Sequence, residues 1–138
     1  MIQALHPDYS KFKPLIGIPF KIHGRDLTGC DCWGLVCLFY KFIFDIELNS
    51  YISDYTDIHD LAGIVQVIEK EQEKWQKVRY FRFGDVLLLR TTGIAHVGIF
   101  IDETRMLHTT QGKDSCLERL RSPIWQSRII SGFRYVKR

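Results

Sequence analysis

No stretch of this 138-residue chain approaches the length of a membrane span, so insertion into a bilayer is not expected. The residues from Met1 onward show no basic n-region, no long apolar segment and no small-residue cleavage site. The expectation is synthesis in the cytoplasm without a secretory signal. Internal repeats and low-complexity linkers are missing too, which leaves one domain over residues 1–138. The four cysteines (Cys30, Cys32, Cys37 and Cys116) include no C-x-x-C pair, and Cys30 and Cys32 stand too close together for an ordinary disulfide framework. A zinc site built from Cys30, Cys32 and a histidine would have the wrong ligand spacing for the common structural sites. Cys37 and Cys116 read as small buried hydrophobes. Charge of one sign is not concentrated either. The formal charge is +3 and the nineteen basic residues are scattered, with Arg119, Arg121, Arg128, Arg134, Lys137 and Arg138 reading as a solvated face. No recognition-helix or stacking-aromatic pattern accompanies them, so nucleic acid is not an expected partner. A mildly basic surface also suits an anionic polymer.

What is present is an ordinary globular composition, 46% apolar and 13% aromatic. A domain of this size buries roughly 68% of its unfolded surface, enough for a core without staples. The periodicity predicts a short helix from about Asp8 to Ile16, ended by Gly17 and Pro19. A turn-rich stretch from Pro19 to Gly29 follows. Leu35, Val36, Phe39, Phe42 and Ile43 then fall at helical spacing, so a core helix should run from Cys32 to about Phe44. Asn49 to Tyr55 reads as loop or a short extended piece. A second helix should begin at Asp57, with Leu61, Ile64, Val65, Ile68 and Trp75 inward and Glu69, Lys70, Glu71, Glu73 and Lys74 solvated. The period then switches. Strands are expected at Val86–Leu89, His96–Ile101, Met106–Thr110 and Gly132–Val136, with turns at Thr91–Gly93 and Asp102–Arg105. Helices first and strands later argue for an α+β domain, its N-terminal helices packed on an antiparallel β-sheet.

Three residues carry a chemical pattern. Cys32 stands at the start of the core helix, with Asp31 as its N-cap, where the helix dipole favours thiolate. His96 opens one strand and His108 closes the next. They are twelve residues apart with Asp102 at the midpoint, so they should be near cross-strand neighbours on one face. A thiolate, a base and a third group that fixes the base's tautomer suit nucleophilic acyl chemistry. Cys32 would attack a carbonyl carbon, His96 would pair with the thiolate and protonate the leaving amine, and His108 would orient His96. The Cys32 backbone N–H is the expected oxyanion donor. Such chemistry requires no metal or organic cofactor.

Several blocks resemble the NlpC/P60 cysteine peptidases, most of all the branch found in phage tails and tail-like particles. They are Ile16-Gly17-Ile18-Pro19-Phe20, Gly24-Arg25-Asp26, Gly29-Cys30-Asp31-Cys32-Trp33-Gly34-Leu35-Val36, Phe83-Gly84-Asp85-Val86-Leu87-Leu88, His96-Val97-Gly98-Ile99-Phe100, Met106-Leu107-His108 and Ile130-Ser131-Gly132-Phe133-Arg134-Tyr135. The resemblance implies a papain-like fold with a catalytic set at Cys32, His96 and His108. It implies hydrolysis of a peptidoglycan stem peptide at the D-γ-glutamyl–diamino acid bond. It also implies assembly with tail-tip or baseplate proteins, which would carry an enzyme without a signal peptide to the wall.

Two positions depart from the family pattern. Phe20 stands where many members have a tyrosine whose hydroxyl points into the active site. Trp33 replaces the serine that in free-standing members helps bind a free amine, so free muropeptides ending in L-alanine are not the expected substrate. Asp31, Trp33 and Phe20 are the candidates for the oxyanion and substrate groove, with the cap favoured for Asp31. Trp33 reads equally as helix packing. Arg25 and Asp26 should brace the loop against the helix. His6, His23 and His59 read as surface residues, and Gln111 as a weak groove candidate. Two other functions share these features. One is a structural tail-tip component without useful activity, and the other is a thiol amidase or acyltransferase acting on another amide.

Overall fold

The computed structural model describes residues 9–52, 61–71, 73–91 and 94–136. The chain enters through α1 (Tyr9–Phe12), which tightens into a 3-10 turn over Lys13–Leu15. Pro14 sits at the start of that turn, where its missing N–H has no intrahelical acceptor to lose. Gly17 then takes a positive φ of 89° and turns the chain outward. The turn-rich stretch holds a small hairpin, β1 (Arg25–Asp26) and β2 (Gly29–Cys30). Its strands are too short for alternation to announce them.

α2 (Cys32–Phe39) runs on through one π-helical turn at Tyr40–Phe44 and stops at Asp45, which adopts a left-handed φ of 54°. The helix is apolar nearly all round, with Trp33, Leu35, Val36 and Phe39 almost completely buried. That makes it a core helix, not an amphipathic surface one. Rings pack its flanks. Trp33 meets Tyr51 and Trp75, while Phe39 meets Phe12, Phe44 and Phe83, at centroid separations of 5.5–6.2 Å.

α3 spans Leu61–Lys70 and buries Ile68; the expected start at Asp57 lies outside the described residues. Trp75 is not on this helix. Seven residues beyond Ile68 it satisfies the helical period, but it opens β3 (Trp75–Val78) opposite Tyr135, their rings 5.3 Å apart. Cross-strand aromatic pairing wins over local periodicity. Glu71 is not a solvated residue either. Its carboxylate accepts from the Tyr51 hydroxyl at 2.6 Å and from Asn49 Nδ2 at 3.2 Å, tying the 49–51 segment to the end of α3.

The remaining strands are β4 (Val86–Thr91), β5 (Ile94–Phe100), β6 (Arg105–His108), β7 (Cys116–Arg119) and β8 (Ile129–Tyr135), with the single-turn α4 (Pro123–Gln126) before β8. Among the described residues the sheet order is β3-β8-β4-β5-β6-β7, antiparallel throughout. Alternation divides its side chains. Val86, Leu88, Val97, Ile99, Leu107 and Phe133 join α2 in the main core. Leu87, Leu89, Phe100 and Met106 form a second cluster with Leu120, Phe81, Trp125 and Ile129 on the other side. The architecture is α+β, as the order of helices and strands predicts. β3, β7 and α4 are additions, each a single short piece without a periodic run of its own. No described helix is long and apolar enough to cross a membrane.

Candidate active site

The junction of loop and helix at Asp31 is built from one carboxylate. Oδ1 accepts from Gly34 N at 2.8 Å, capping α2, and from Arg25 Nη1 at 2.8 Å; Oδ2 accepts from His23 N at 2.8 Å. Arg25 also donates to the carbonyls of Gly24 and Ser50, so one guanidinium ties its own loop and the Ser50 segment to the helix start. Gly34 is required by contact. A Cβ there would collide with the Gly24 carbonyl oxygen and come within 2.9 Å of Arg25 Nη1. These contacts settle where two groove candidates sit. Asp31 is fully buried and acts as a cap and brace, not as a substrate contact. Trp33 is also fully buried, its Nε1 donating to Asn49 O at 2.8 Å; it packs the helix against Tyr51 and Trp75. Phe20, half-buried, bridges to Cys30 two residues before Cys32. His23 is no bare surface residue, since its backbone takes a left-handed φ of 65° to reach Asp31.

Cys32 itself is 2% exposed. Its sulfur receives the backbone N–H of Val97 and of Trp33. β6 ends at His108, and continuing the Ile99–Leu107 register puts His108 across from Gly98. One residue further along β5 the Val97 N–H meets the thiol, beside the peptide that joins Val97 to His96. His96 and His108 then meet ring to ring, Nε2 to Nδ1, at 3.0 Å. His108 Nε2 faces Glu118 Oε1 at a longer 3.4 Å.

The polarity of this chain follows from its end. A carboxylate only accepts, so His108 carries its proton on Nε2 and offers Nδ1 as acceptor. His96 therefore carries its proton on Nε2, and Nδ1 remains as the basic nitrogen available to a thiol. Nothing in the sequence alone marks Glu118 as part of this chain. The alternation Cys116-Leu117-Glu118 is present, but a strand of four residues after an irregular stretch is not legible without its partner β6.

Burial controls the charge state. The Cys32 thiol is pushed up to about 12, first by desolvation and then by the Asp31 carboxylate, against the pull of the two N–H donors. His96 is pushed down to about 3 by desolvation and by the neighbouring His108. His108 is also lowered by burial, with Glu118 opposing. The expectation of a resting thiolate at the helix start is thus corrected: withdrawal from water outweighs the dipole, and the resting pair is thiol and neutral imidazole. Trp125 of α4 roofs the histidines, 5.0 Å from His108 and 6.4 Å from His96, under the Arg128 guanidinium.

The other sequence candidates stay apart from this chain of contacts. Gln111 is exposed in the β6–β7 connection, and His6 and His59 lie outside the described residues. Cys30 is buried and Cys37 half-buried against the core. Cys116 is not fully buried; it is half-buried on β7 directly opposite His108. Among the described residues, the group able to hold a metal is His108, Cys116 and Glu118, and not Cys30 and Cys32.

A thiol at the head of a core helix, set against an antiparallel sheet that carries paired histidines, defines a papain-like α+β protein. The chain belongs to the NlpC/P60 family, which it matches over residues 17–134. It is 26% identical over 124 residues to the murein DD-endopeptidase MepS/murein LD-carboxypeptidase of Escherichia coli; the match covers 88% of this chain and 58% of the relative. The chain thus spans under two thirds of that relative's length. Among solved structures it resembles an NlpC/P60 family protein from Bacillus cereus (TM-score 0.66, 17% identity, 96% of this chain and 41% of that one). It also resembles a lipoprotein-like NLP/P60 protein from Staphylococcus aureus (TM-score 0.65, 19% identity, 94% and 40%). A third is the NlpC/P60 domain of the peptidoglycan hydrolase SagA (TM-score 0.61, 16% identity, 91% and 94%).

Proposed function

We propose that the chain is a cysteine peptidase that hydrolyses an amide of the peptidoglycan stem peptide. The observations that carry this are the hydrogen-bonded run His96–His108–Glu118 and the N–H of Val97, the residue after His96, donating to the Cys32 thiol. Membership of the NlpC/P60 family and the likeness to a murein endopeptidase support the substrate.

Sγ attacks the carbonyl carbon as its proton passes to His96 Nδ1. The Cys32 N–H, at the first helical position and so without an intrahelical acceptor, receives the oxyanion. Collapse breaks the C–N bond, and His96 returns the proton to the departing amine. Water, deprotonated by the same nitrogen, then cleaves the thioester and frees the carboxylate. Because the thiol rests protonated, attack and proton transfer are coupled.

The finer reading is a phage tail or tail-like particle enzyme. It would be made in the host cytoplasm, assembled among tail-tip or baseplate proteins, and used for local wall penetration, with D-γ-glutamyl–diamino acid as the bond. Its support is the run of blocks from Ile16 to Tyr135 described from the sequence. Phe20 favours one second reading, a structural tail-tip member of low activity, because a ring without a hydroxyl stands where the family offers a donor.

Digestion of purified diaminopimelate-type peptidoglycan separates these, comparing wild type with Cys32→Ala and identifying products by mass. New peptide ends that vanish in the variant are the expected result. An absence of new ends, together with a Cys32 that resists alkylation during substrate exposure, would sink the enzyme reading.

A further inference from the structure

β6 and β7 place three metal-ligating side chains on one face of the sheet. His108 and Cys116 are directly paired, and Glu118 lies two residues along β7, so its side chain points the same way. His108 nitrogen, Cys116 Sγ and a Glu118 carboxylate oxygen all lie within 4.8 Å of one another. Around a tetrahedral Zn²⁺ with bonds of about 2.0–2.3 Å, donor atoms stand about 3.3–3.8 Å apart, a difference that side-chain rotation closes. The His108 side chain is 3% exposed and that of Glu118 32%. The cluster therefore has a buried anchor and an open flank, through which an ion enters and a fourth ligand, water, completes the shell. Imidazole, thiolate and carboxylate together suit Zn²⁺ better than Mg²⁺ or Ca²⁺, which take oxygen donors.

We propose that His108, Cys116 and Glu118 form an inhibitory Zn²⁺ site that holds the Cys32–His96 pair in the unreactive tautomer. The inference rests on the catalytic reading of that pair. Nδ1 of His108 already faces His96, so the metal must take the lone pair of Nε2, the nitrogen that otherwise donates to Glu118. The remaining His108 proton then sits on Nδ1 and donates to His96 Nε2. His96 is left with its own proton on Nδ1, the nitrogen that the catalytic reading assigns to the thiol, and has no lone pair there to accept another. Occupation and catalysis thus require opposite directions along one hydrogen-bonded chain. Lys113 is the cation beside the cluster, and the Cys116 thiolate and Glu118 carboxylate together outweigh it.

Co²⁺ is the probe, because a cobalt–thiolate bond gives a near-ultraviolet charge-transfer band. The full chain is titrated as wild type, Cys32→Ala and Cys116→Ser, each checked for folding by circular dichroism. The expected result is a band in wild type and in Cys32→Ala that Cys116→Ser lacks, with affinity reduced at least about 100-fold, beyond the 10–100-fold typical of outer-shell changes. Zn²⁺ should then suppress wild-type peptidoglycan hydrolysis, while Cys116→Ser, as active as wild type without metal, resists it. If Cys116→Ser does not fold, Glu118→Gln serves as the second ligand variant in the cobalt titration only, read as lost Co²⁺ affinity, because Glu118 also orients His108. No thiolate band overturns the proposal, as does a band lost with Cys32 and kept without Cys116. Equal Zn²⁺ sensitivity in Cys116→Ser, or binding without inhibition, overturns the switch. If no hydrolysis is seen at all, the cobalt titration still decides the site, and only the catalytic reading falls.

Discussion

His108 lies across the sheet from Gly98, two residues from His96, yet its ring reaches His96 at 3.0 Å. Direct opposition, which the twelve-residue spacing suggests, would need a connection centred on Asp102. Instead Asp102 Oδ1 accepts from Thr104 N and Arg105 N, both at 2.9 Å, and fixes a wider turn that moves the register by two residues. A diagonal pair is still within reach of ring-sized side chains. A Cβ at Gly98 would stand 3.1 Å from Met106 Sδ and 3.4 Å from His108 Cβ, so the glycine relieves crowding beside the pair.

The far end of this pair gives the first prediction. Glu118 sets the direction of the hydrogen bonds without touching substrate, so it is a positioning residue. Glu118→Ala should lower kcat by about 10- to 100-fold and leave KM unchanged. That is less than the ~10⁴ seen when the group directly orienting a catalytic histidine is lost. Glu118→Asp should recover part of the loss. Steady-state kinetics on a defined stem peptide checks this, and a change confined to KM would contradict it.

Asp31 gives a stability prediction. Its carboxylate is fully buried and serves Gly34 N, Arg25 and His23 N together. Asp31→Ala should cost about 3–5 kcal/mol, the scale for removing one partner of a buried pair, out of about 5–15 for a whole domain. Asp31→Asn, which keeps an acceptor for the cap, should lose less. Urea unfolding at neutral pH measures both.

The pH response follows from burial. His96 titrates at about 3 in the folded chain against roughly 6.5 unfolded. Between those values the unfolded state binds more protons, so stability falls as pH drops below 6.5. By pH 4.5 the loss from His96 alone should be about 2–3 kcal/mol. At the other end Cys30, Cys32 and Cys37 are each held near 12 by burial. Their unfolded thiols ionise earlier, so stability also falls as pH rises past about 9. Urea midpoints from pH 4.5 to 10 should trace a dome, and His96→Gln should flatten its acid side. Initial rates should show no acid limb near 6.5, because His96 stays neutral there.

Phe20 tests the missing donor. Phe20→Tyr should raise kcat, on the order of tenfold and below the 10²–10³ of a full oxyanion-hole donor. A variant with unchanged rate and unchanged melting temperature would show that position 20 does not reach the reacting atoms.

The core helix from Cys32 onward, its Asp31 cap, the α+β order and the pairing of His96 with His108 are legible in the residues alone. All of these are local: a capping residue, an apolar period, and a two-strand unit closed by one turn. The placing of Trp75, β7 and α4 was decided by tertiary contacts, since their partners Tyr135, His108 and the histidine rings lie 8 to 60 residues away in the chain. The same holds for Glu118, which becomes the end of the histidine chain only once β7 pairs with β6. Charge state was also beyond the sequence. A thiol at a helix start reads as thiolate until the packing around it is known, and here Cys32 and His96 are almost wholly withdrawn from water. Desolvation is a property of the folded core, and it sets both groups neutral.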